Sequence, residues 1–260
     1  MRLRFLGTGT SFGVPQVGCH CRTCTSTNPR DRRMRSSVIV ETAGRLLLID
    51  TAPELRLQLV DAGVDRVDAV LYTHAHADHV HGIDDLRALS VRLGGLGLPV
   101  YGPAAALAEL RHRFSYIFDG APAHPGTSKP ELALQALEPG QPAAVAGVEV
   151  LPIELPHGDQ SVFGYRFGRL AYLTDVKSIP TAAREQLAGL DVLVLNALLP
   201  RPHPLHLSVP EAIAVAQQLG ARRTVLTHLT HEVPHDELAA SLPAGIDPAY
   251  DGLVVDVVAA

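Results

Sequence analysis

Five short apolar runs in this chain each end on a histidine or an aspartate, and that recurrence constrains the fold more than any other feature. Residues 45–49 (RLLLI) run into Asp50, and residues 68–73 (DAVLYT) run into His74. Residues 148–156 meet His157, residues 170–174 (LAYLT) meet Asp175, and residues 223–227 (RTVLT) meet His228. Runs of this length, rich in aliphatic and β-branched side chains, read as strands buried on both faces. Five of them finishing in ligand-type residues predict one face of the molecule where strand ends converge. Packing alone gives no reason for that repetition.

Helical spacing of apolar residues between the runs predicts helices over 53–62, 82–93 and 104–114. Another helix should begin at Ser208-Val209-Pro210-Glu211, a capping box with proline in its first turn, and stop at Gly220. Residues 119–147, rich in Pro and Gly, read as a surface excursion plus an edge strand. With no dividing linker, repeat or low-complexity tract, residues 1–260 are expected to form one α/β domain. The net charge of −5 gives no electrostatic footprint for nucleic acid. The absence of an 18-residue apolar run or a signal-peptide core points to a cytoplasmic protein with no membrane partner.

The motif Thr73-His74-Ala75-His76-Ala77-Asp78-His79 gathers three imidazoles and a carboxylate within six positions. In an extended segment alternate residues point the same way, so His74 and His76 can grip one ion. If the chain then turns into a helix, Asp78 and His79 can face a second. Imidazole with carboxylate suits zinc, manganese or iron, and the lack of thiolate here favours hydrolytic over structural chemistry. The plain alternative is a histidine-rich surface loop.

A second constellation lies near the start. Cys19, Cys21 and Cys24, the only cysteines, form C-x-C-x-x-C within a loop at 18–25. Three soft ligands need a fourth for tetrahedral zinc, and His231, three residues after His228, is the candidate. The alternative is three unliganded buried thiols. A clustered, odd set suits a reducing compartment better than a disulfide framework.

The H-x-H-x-D-H motif, with Asp50, His157, Asp175 and His228 following in order, resembles the signature of the metallo-β-lactamase superfamily. The resemblance implies a four-layer αββα sandwich. It implies that His74, His76 and His157 bind one metal, that Asp78, His79 and His228 bind the other, and that Asp175 bridges the two. Asp50 matches an acidic position that anchors the metal loop, and it is grouped here with Asp78 and His206 as catalytic. Two cations about 3.5–4 Å apart hold a bridging hydroxide that acts as the nucleophile. Oxygen-reducing members carry Glu where this chain has His76, which disfavours a redox role.

Together with the cysteine loop, the motif is similar to the phosphodiesterases that cleave phosphoribosyl 1,2-cyclic phosphate, in which the cysteines and a late histidine hold a structural zinc. The expected activity is therefore hydrolysis of a small cyclic or nucleotide-like phosphodiester by two Zn or Mn ions. A homodimer is compatible with that resemblance. In that family a histidine before the capped helix acts in catalysis. His206 occupies that place and is the candidate general acid; capping the helix is its bland role, and His203 is the weaker candidate. Leu6-Gly7-Thr8-Gly9-Thr10-Ser11 resembles phosphodiesterase members but lacks the ending of a phosphate-binding P-loop, and a tight strand-to-loop turn is expected there. Arg30, Arg32, Arg33 and Arg35 could clasp a terminal phosphate, although a solvated charge run is the simpler reading. An RNA-processing nuclease, a lactone or thioester hydrolase, and an inert relative similar to pyrroloquinoline quinone biosynthesis protein B are the competing readings. All seven ligand positions being filled argues against the last.

Overall fold

A computed structural model describes residues 1–94 and 96–257. Seven strands form a first sheet: β1 (Arg2–Gly7), β2 (Ser37–Thr42), β3 (Arg45–Ile49), β4 (Ala69–Leu71), β5 (Leu98–Gly102), β6 (Leu132–Ala136) and, late in the chain, β14 (Val254–Asp256). Seven more form the second: β7 (Ala143–Val145), β8 (Val148–His157), β9 (Gln160–Phe167), β10 (Leu170–Leu173), β11 (Val192–Asn196), β12 (Arg223–Thr227) and β13 (Ile246–Pro248). The first sheet runs β14-β1-β2-β3-β4-β5-β6 and the second β13-β12-β11-β10-β9-β8-β7. In both, antiparallel pairing gives way to parallel pairing partway across, at β3–β4 and at β10–β11.

The continuous apolar runs have their explanation in the side-chain alternation of a strand. In β3, Leu47 and Ile49 face the second sheet, whereas Leu48 packs outward against helices. In β11, Val192 and Val194 face the first sheet, whereas Leu193 and Leu195 pack on the other side. The strands near the middle of the sheets, β4, β10 and β11, are buried at every residue, so polar alternation has no place in them; β1 and β8, next to the edge strands, do alternate, with Arg2, Glu149 and Glu154 exposed. Three separate cores result. One lies between the sheets, and the others lie between each sheet and its own helices: Leu55–Asp61 and Ala104–Arg113 on the first, Thr181–Gln186, Val209–Leu219 and His235–Ser241 on the second. This is the four-layer αββα sandwich.

The helix at Val209–Leu219 begins and ends as its sequence dictates. Ser208 Oγ accepts from the Glu211 N–H, Glu211 reaches back to the Ser208 N–H, and Gly220 closes the helix at φ 65°. Residues 82–93, expected as one helix, are three consecutive short pieces, 3₁₀ at Ile83–Leu86, α at Arg87–Ser90 and 3₁₀ at Val91–Leu93. Ile83, Leu86 and Leu89 still face the core. Apolar spacing fixes which side faces inward, but it distinguishes i+3 from i+4 bonding poorly over so short a span. The excursion at 119–147 supplies two edge strands where one was expected, β6 and β7, one to each sheet. No helix among the described residues is long and apolar enough to cross a membrane.

Gly7 and Gly9 are needed for close approach and not for a turn, since neither has a positive φ. A Cβ on Gly7 would lie 2.0 Å from the Arg35 carbonyl oxygen, and one on Gly9 2.7 Å from that of Arg33.

Candidate metal centre and active site

The ligand-type residues sit where strands stop, and three of them stop in a strained conformation. Asp50 after β3, Asp175 after β10 and His228 after β12 have φ of 62°, 58° and 57°. The other described non-glycine residues with positive φ are Ala43 and Ala146, each followed by a glycine in a hairpin turn. Left-handed backbone costs a non-glycine residue about 1–3 kcal/mol, so the surrounding fold holds these side chains where local preference would not. His76 closes the extended segment with ψ 151°, and the helical turn Ala77–Val80 then carries Asp78 and His79.

The donor atoms of His74, His76 and His157 lie within 4.8 Å of one another, as do those of Asp78, His79 and His228. Asp175 joins both groups, through His74 and His79 on one side and His228 on the other. The seven ligand positions expected for the dinuclear centre are therefore gathered in one place.

Hydrogen bonds fix how the imidazoles present themselves. Thr73 Oγ1 donates to Asp50 at 2.8 Å and so accepts from His74 Nδ1 at 2.9 Å. His79 Nδ1 donates to Asp50 Oδ2 at 2.7 Å, and His157 Nδ1 to the Leu205 carbonyl at 3.2 Å. Ser36 Oγ donates to the Gly9 carbonyl, leaving it to accept from His228 Nδ1 at 3.1 Å. In each ring the proton is outside and the Nε2 lone pair faces inward. The Nε2 atoms of His74, His79 and His157 are buried without a hydrogen-bond partner. Lone pairs facing the carboxylates of Asp78 and Asp175 make a cage of acceptors, which suits divalent cations of the zinc or manganese type. The electrostatics agree. Burial pushes the Asp175 carboxyl up, but the rings of His228 and His79 outweigh it and hold the group well below its usual range. Burial depresses His79, yet the surrounding Asp175, Asp78 and Asp50 raise it well above 6.5, so its inner nitrogen takes up a proton unless a metal cation takes that place. The cluster favours positive charge at its centre.

Asp50, grouped above with the catalytic residues, is fully buried and spends both oxygens on Thr73 and His79. It acts through those neighbours and is a positioning residue. Sequence reasoning missed three others of that kind, Ser36, Thr73 and the Leu205 carbonyl. Ser36 and Leu205 serve partners distant in sequence, which no local pattern marks; Thr73 adjoins His74 inside the motif, but its role depends on Asp50 folding in from 23 residues away.

Cys19, Cys21, Cys24 and His231 come together as a four-donor group, with His231 Nδ1 3.3 and 3.2 Å from the sulfurs of Cys19 and Cys21. The Cys24 N–H and His231 draw the Cys21 thiol below its usual range, while burial raises that of Cys24. The set fits a closed tetrahedral zinc.

His206 reaches the cluster. Its Nδ1 lies 3.3 Å from Asp175 Oδ1, and its ring stacks on His228 at 5.2 Å. Burial takes it down to about 3, against the pull of Asp175, so the resting ring is neutral. His203 turns its Nδ1 to its own backbone at Leu205. A cavity of about 300 Å³ opens on this side, lined by His203, His206, His228, Leu198, Leu199 and Phe12 among others. A second cavity of about 600 Å³, at the His74 and His76 end of the cluster, is lined also by Arg113, Asp159 and Ser161.

The four arginines form neither a phosphate clasp nor a solvated run. Arg33 is buried, donating to the carbonyls of Thr230 and Val233 and pairing with Asp31 at 3.8 Å. Arg35 binds the Ser11 carbonyl and Glu54, and Arg30 lies 4.7 Å over the Tyr250 ring. Arg30 and Arg32 are both exposed.

Comparison with known proteins gives a consistent picture. Residues 45–229 match the family model described as a Beta-lactamase superfamily domain. A crystal structure described as a new diphosphatase from the PhnP family superposes with a TM-score of 0.90, at 42% identity over 98% of this chain and 97% of that one. An octanoyltransferase from Porphyromonas gingivalis is 43% identical over 97% of this chain but only 51% of its own length, so the chain spans about half of that relative. Ribonuclease Z from Methanopyrus kandleri is 26% identical, covering 98% of this chain and 97% of its own.

Proposed function

The chain belongs to the β-lactamase superfamily as a hydrolase of the metallo-β-lactamase fold, and we propose that it is a metal-dependent phosphodiesterase acting on a small phosphodiester, cyclic or nucleotide-like. The observation that carries this reading is the placing of His206, a neutral imidazole, 3.3 Å from Asp175 at the rim of a cage of inward lone pairs. A phosphodiester needs both electrophilic activation and a proton for its leaving alkoxide; a lactone or thioester needs no strong acid.

In this reading His74, His76 and His157 hold one divalent cation, Asp78, His79 and His228 hold another, and Asp175 is shared. Bound cations of the zinc or manganese type supply Lewis acidity and a water of lowered pKa. Asp50 keeps His79, and through Thr73 also His74, in the tautomer that presents Nε2. The arriving anion raises the basicity of His206, which takes up a proton and delivers it from Nε2, the nitrogen not facing Asp175. Cys19, Cys21, Cys24 and His231 hold a structural zinc that fastens the 18–25 loop beside His228. Residues 1–260 act as one domain with a small-molecule substrate. The cavity of about 300 Å³ and the likeness to a diphosphatase favour this over RNA-end processing.

The test pairs wild type with His206→Ala on two diesters. Bis-p-nitrophenyl phosphate has a leaving group that barely needs an acid, whereas a 2′,3′-cyclic nucleotide has one that does. The expected loss is roughly 10²–10⁴-fold on the cyclic substrate and much less on the aryl one. Absence of turnover on both by the metal-loaded wild type would sink the reading.

A further inference from the structure

Among the phenylalanines and tyrosines of the described residues, Phe12 is the one most open to solvent. The residue is 66% exposed. The only other strongly exposed aromatic among the described residues, Tyr116, has its hydroxyl on Asp84, while Phe12 has no polar tip to satisfy. Nor is its exposure that of a loose loop. The turn at 10–13 is closed by the Gly13 N–H on the Thr10 carbonyl at 2.9 Å and by the Phe12 N–H on Thr10 Oγ1 at 3.4 Å. Gly13 makes the reversal possible at φ 65°. Arg35 then ties the Ser11 carbonyl at 3.0 Å, and Val14 and Arg33 exchange two main-chain bonds of 2.8 Å. The backbone is pinned on both sides of a side chain left in water.

Phe12 lines the same cavity as His206 and His228, as do Leu198 and Leu199. If His206 protonates the departing oxygen, the leaving alcohol must lie on the His206 side of the cluster, in this cavity. The retained half of the substrate then faces the cavity on the His74 and His76 side. We infer that Phe12 is a specificity-determining residue that stacks on a planar ring carried by the leaving alcohol, so that the preferred substrate is a diester with a nucleoside-like leaving group. An exposed, pre-positioned phenyl face loses little conformational entropy on binding, and ring stacking of this kind is sequence-tolerant and sizeable.

The inference rests on the phosphodiesterase reading, and the experiment separates the two. Calorimetry on the zinc-loaded protein measures the Kd of AMP, which carries a ring, and of ribose 5-phosphate, which does not, for wild type, Phe12→Leu and Phe12→Tyr. Phe12→Leu should weaken AMP by about tenfold and leave ribose 5-phosphate unchanged, and Phe12→Tyr should restore the wild-type preference. An AMP-to-ribose 5-phosphate ratio that is the same in Phe12→Leu as in wild type overturns the inference, as does a wild type without preference for AMP. Turnover of bis-p-nitrophenyl phosphate by the zinc-loaded wild type reports on the phosphodiesterase reading separately from the Phe12 comparison.

Discussion

Replacing Asp50 by asparagine should weaken metal binding without touching a ligand, and the structure says through which atoms. Oδ1 accepts the Thr73 N–H at 2.8 Å, while Oδ2 accepts the Thr73 hydroxyl at 2.8 Å and His79 Nδ1 at 2.7 Å. An amide group must put its NH₂ at one of these two places. The main-chain N–H of Thr73 cannot turn away, whereas the hydroxyl can rotate and the imidazole can shift its proton. The NH₂ therefore goes to the Oδ2 side. Facing a donor, His79 moves its proton to Nε2, and the rotated Thr73 hydroxyl donates to His74 Nδ1, sending that ring's proton to Nε2 as well. Two inward lone pairs are lost in the favoured tautomers. Loss of a supporting hydrogen bond behind a ligand ordinarily costs 10–100-fold in metal affinity, about 1.4–2.7 kcal/mol. Competition of the apo-protein with a chromophoric zinc chelator measures it. An Asp50→Asn protein that binds zinc within twofold of wild type would refute the tautomer relay.

Two further predictions concern stability. Arg33→Met leaves the carbonyls of Thr230 and Val233 without their donor and removes the cation beside Asp31, so urea unfolding should show a loss of about 3–5 kcal/mol; a change under about 1 kcal/mol would show that Arg33 does not clamp the segment that follows His228. Burial raises Asp251 to about 7 although Met34 N–H, Thr8 and Arg33 oppose it. The native state then holds a proton that the unfolded chain releases near 3.8, so this group's contribution is lost as pH climbs from about 4 to about 7, by a few kcal/mol. Asp251→Asn should remove that slope, and parallel stability profiles of the two proteins between pH 4.5 and 8 would contradict it.

What could be read from the sequence divides along physical lines. The strand ends at Asp50, His74 and Asp175 were legible because a strand segment buried on both faces tolerates no ionisable group, so each such residue marks where that burial stops; His157 and His228 end strands that carry Glu149, Glu154 and Arg223, and stood out by their place in the series. The capping box at Ser208 was legible because a cap is a local device. The role of Arg33 was not, because in sequence it is one of four neighbouring arginines, and only tertiary packing separates a buried clamp from a solvated one. Ser36 and Leu205 were invisible for the same reason, as they serve His228 and His157 from far along the chain. The cysteine loop and His231 stand 207 residues apart at their nearest members, Cys24 and His231, and their joining rests on chemistry of ligand type more than on pattern.

The division of ligands between the two sheets has a consequence for how the molecule comes apart. His74, His76, Asp78 and His79 belong to the half of the chain that builds the first sheet, and His157, Asp175 and His228 to the half that builds the second. Neither half alone holds a complete donor set for either cation of the proposed centre. Occupancy is thus linked to docking of the halves, and by mass action each tenfold excess of metal over its dissociation constant adds about 1.4 kcal/mol against their separation. Chelation should lower the free energy of subglobal opening along the seam before it affects exchange inside either sheet, and native-state hydrogen exchange would resolve the two as separate cooperative units.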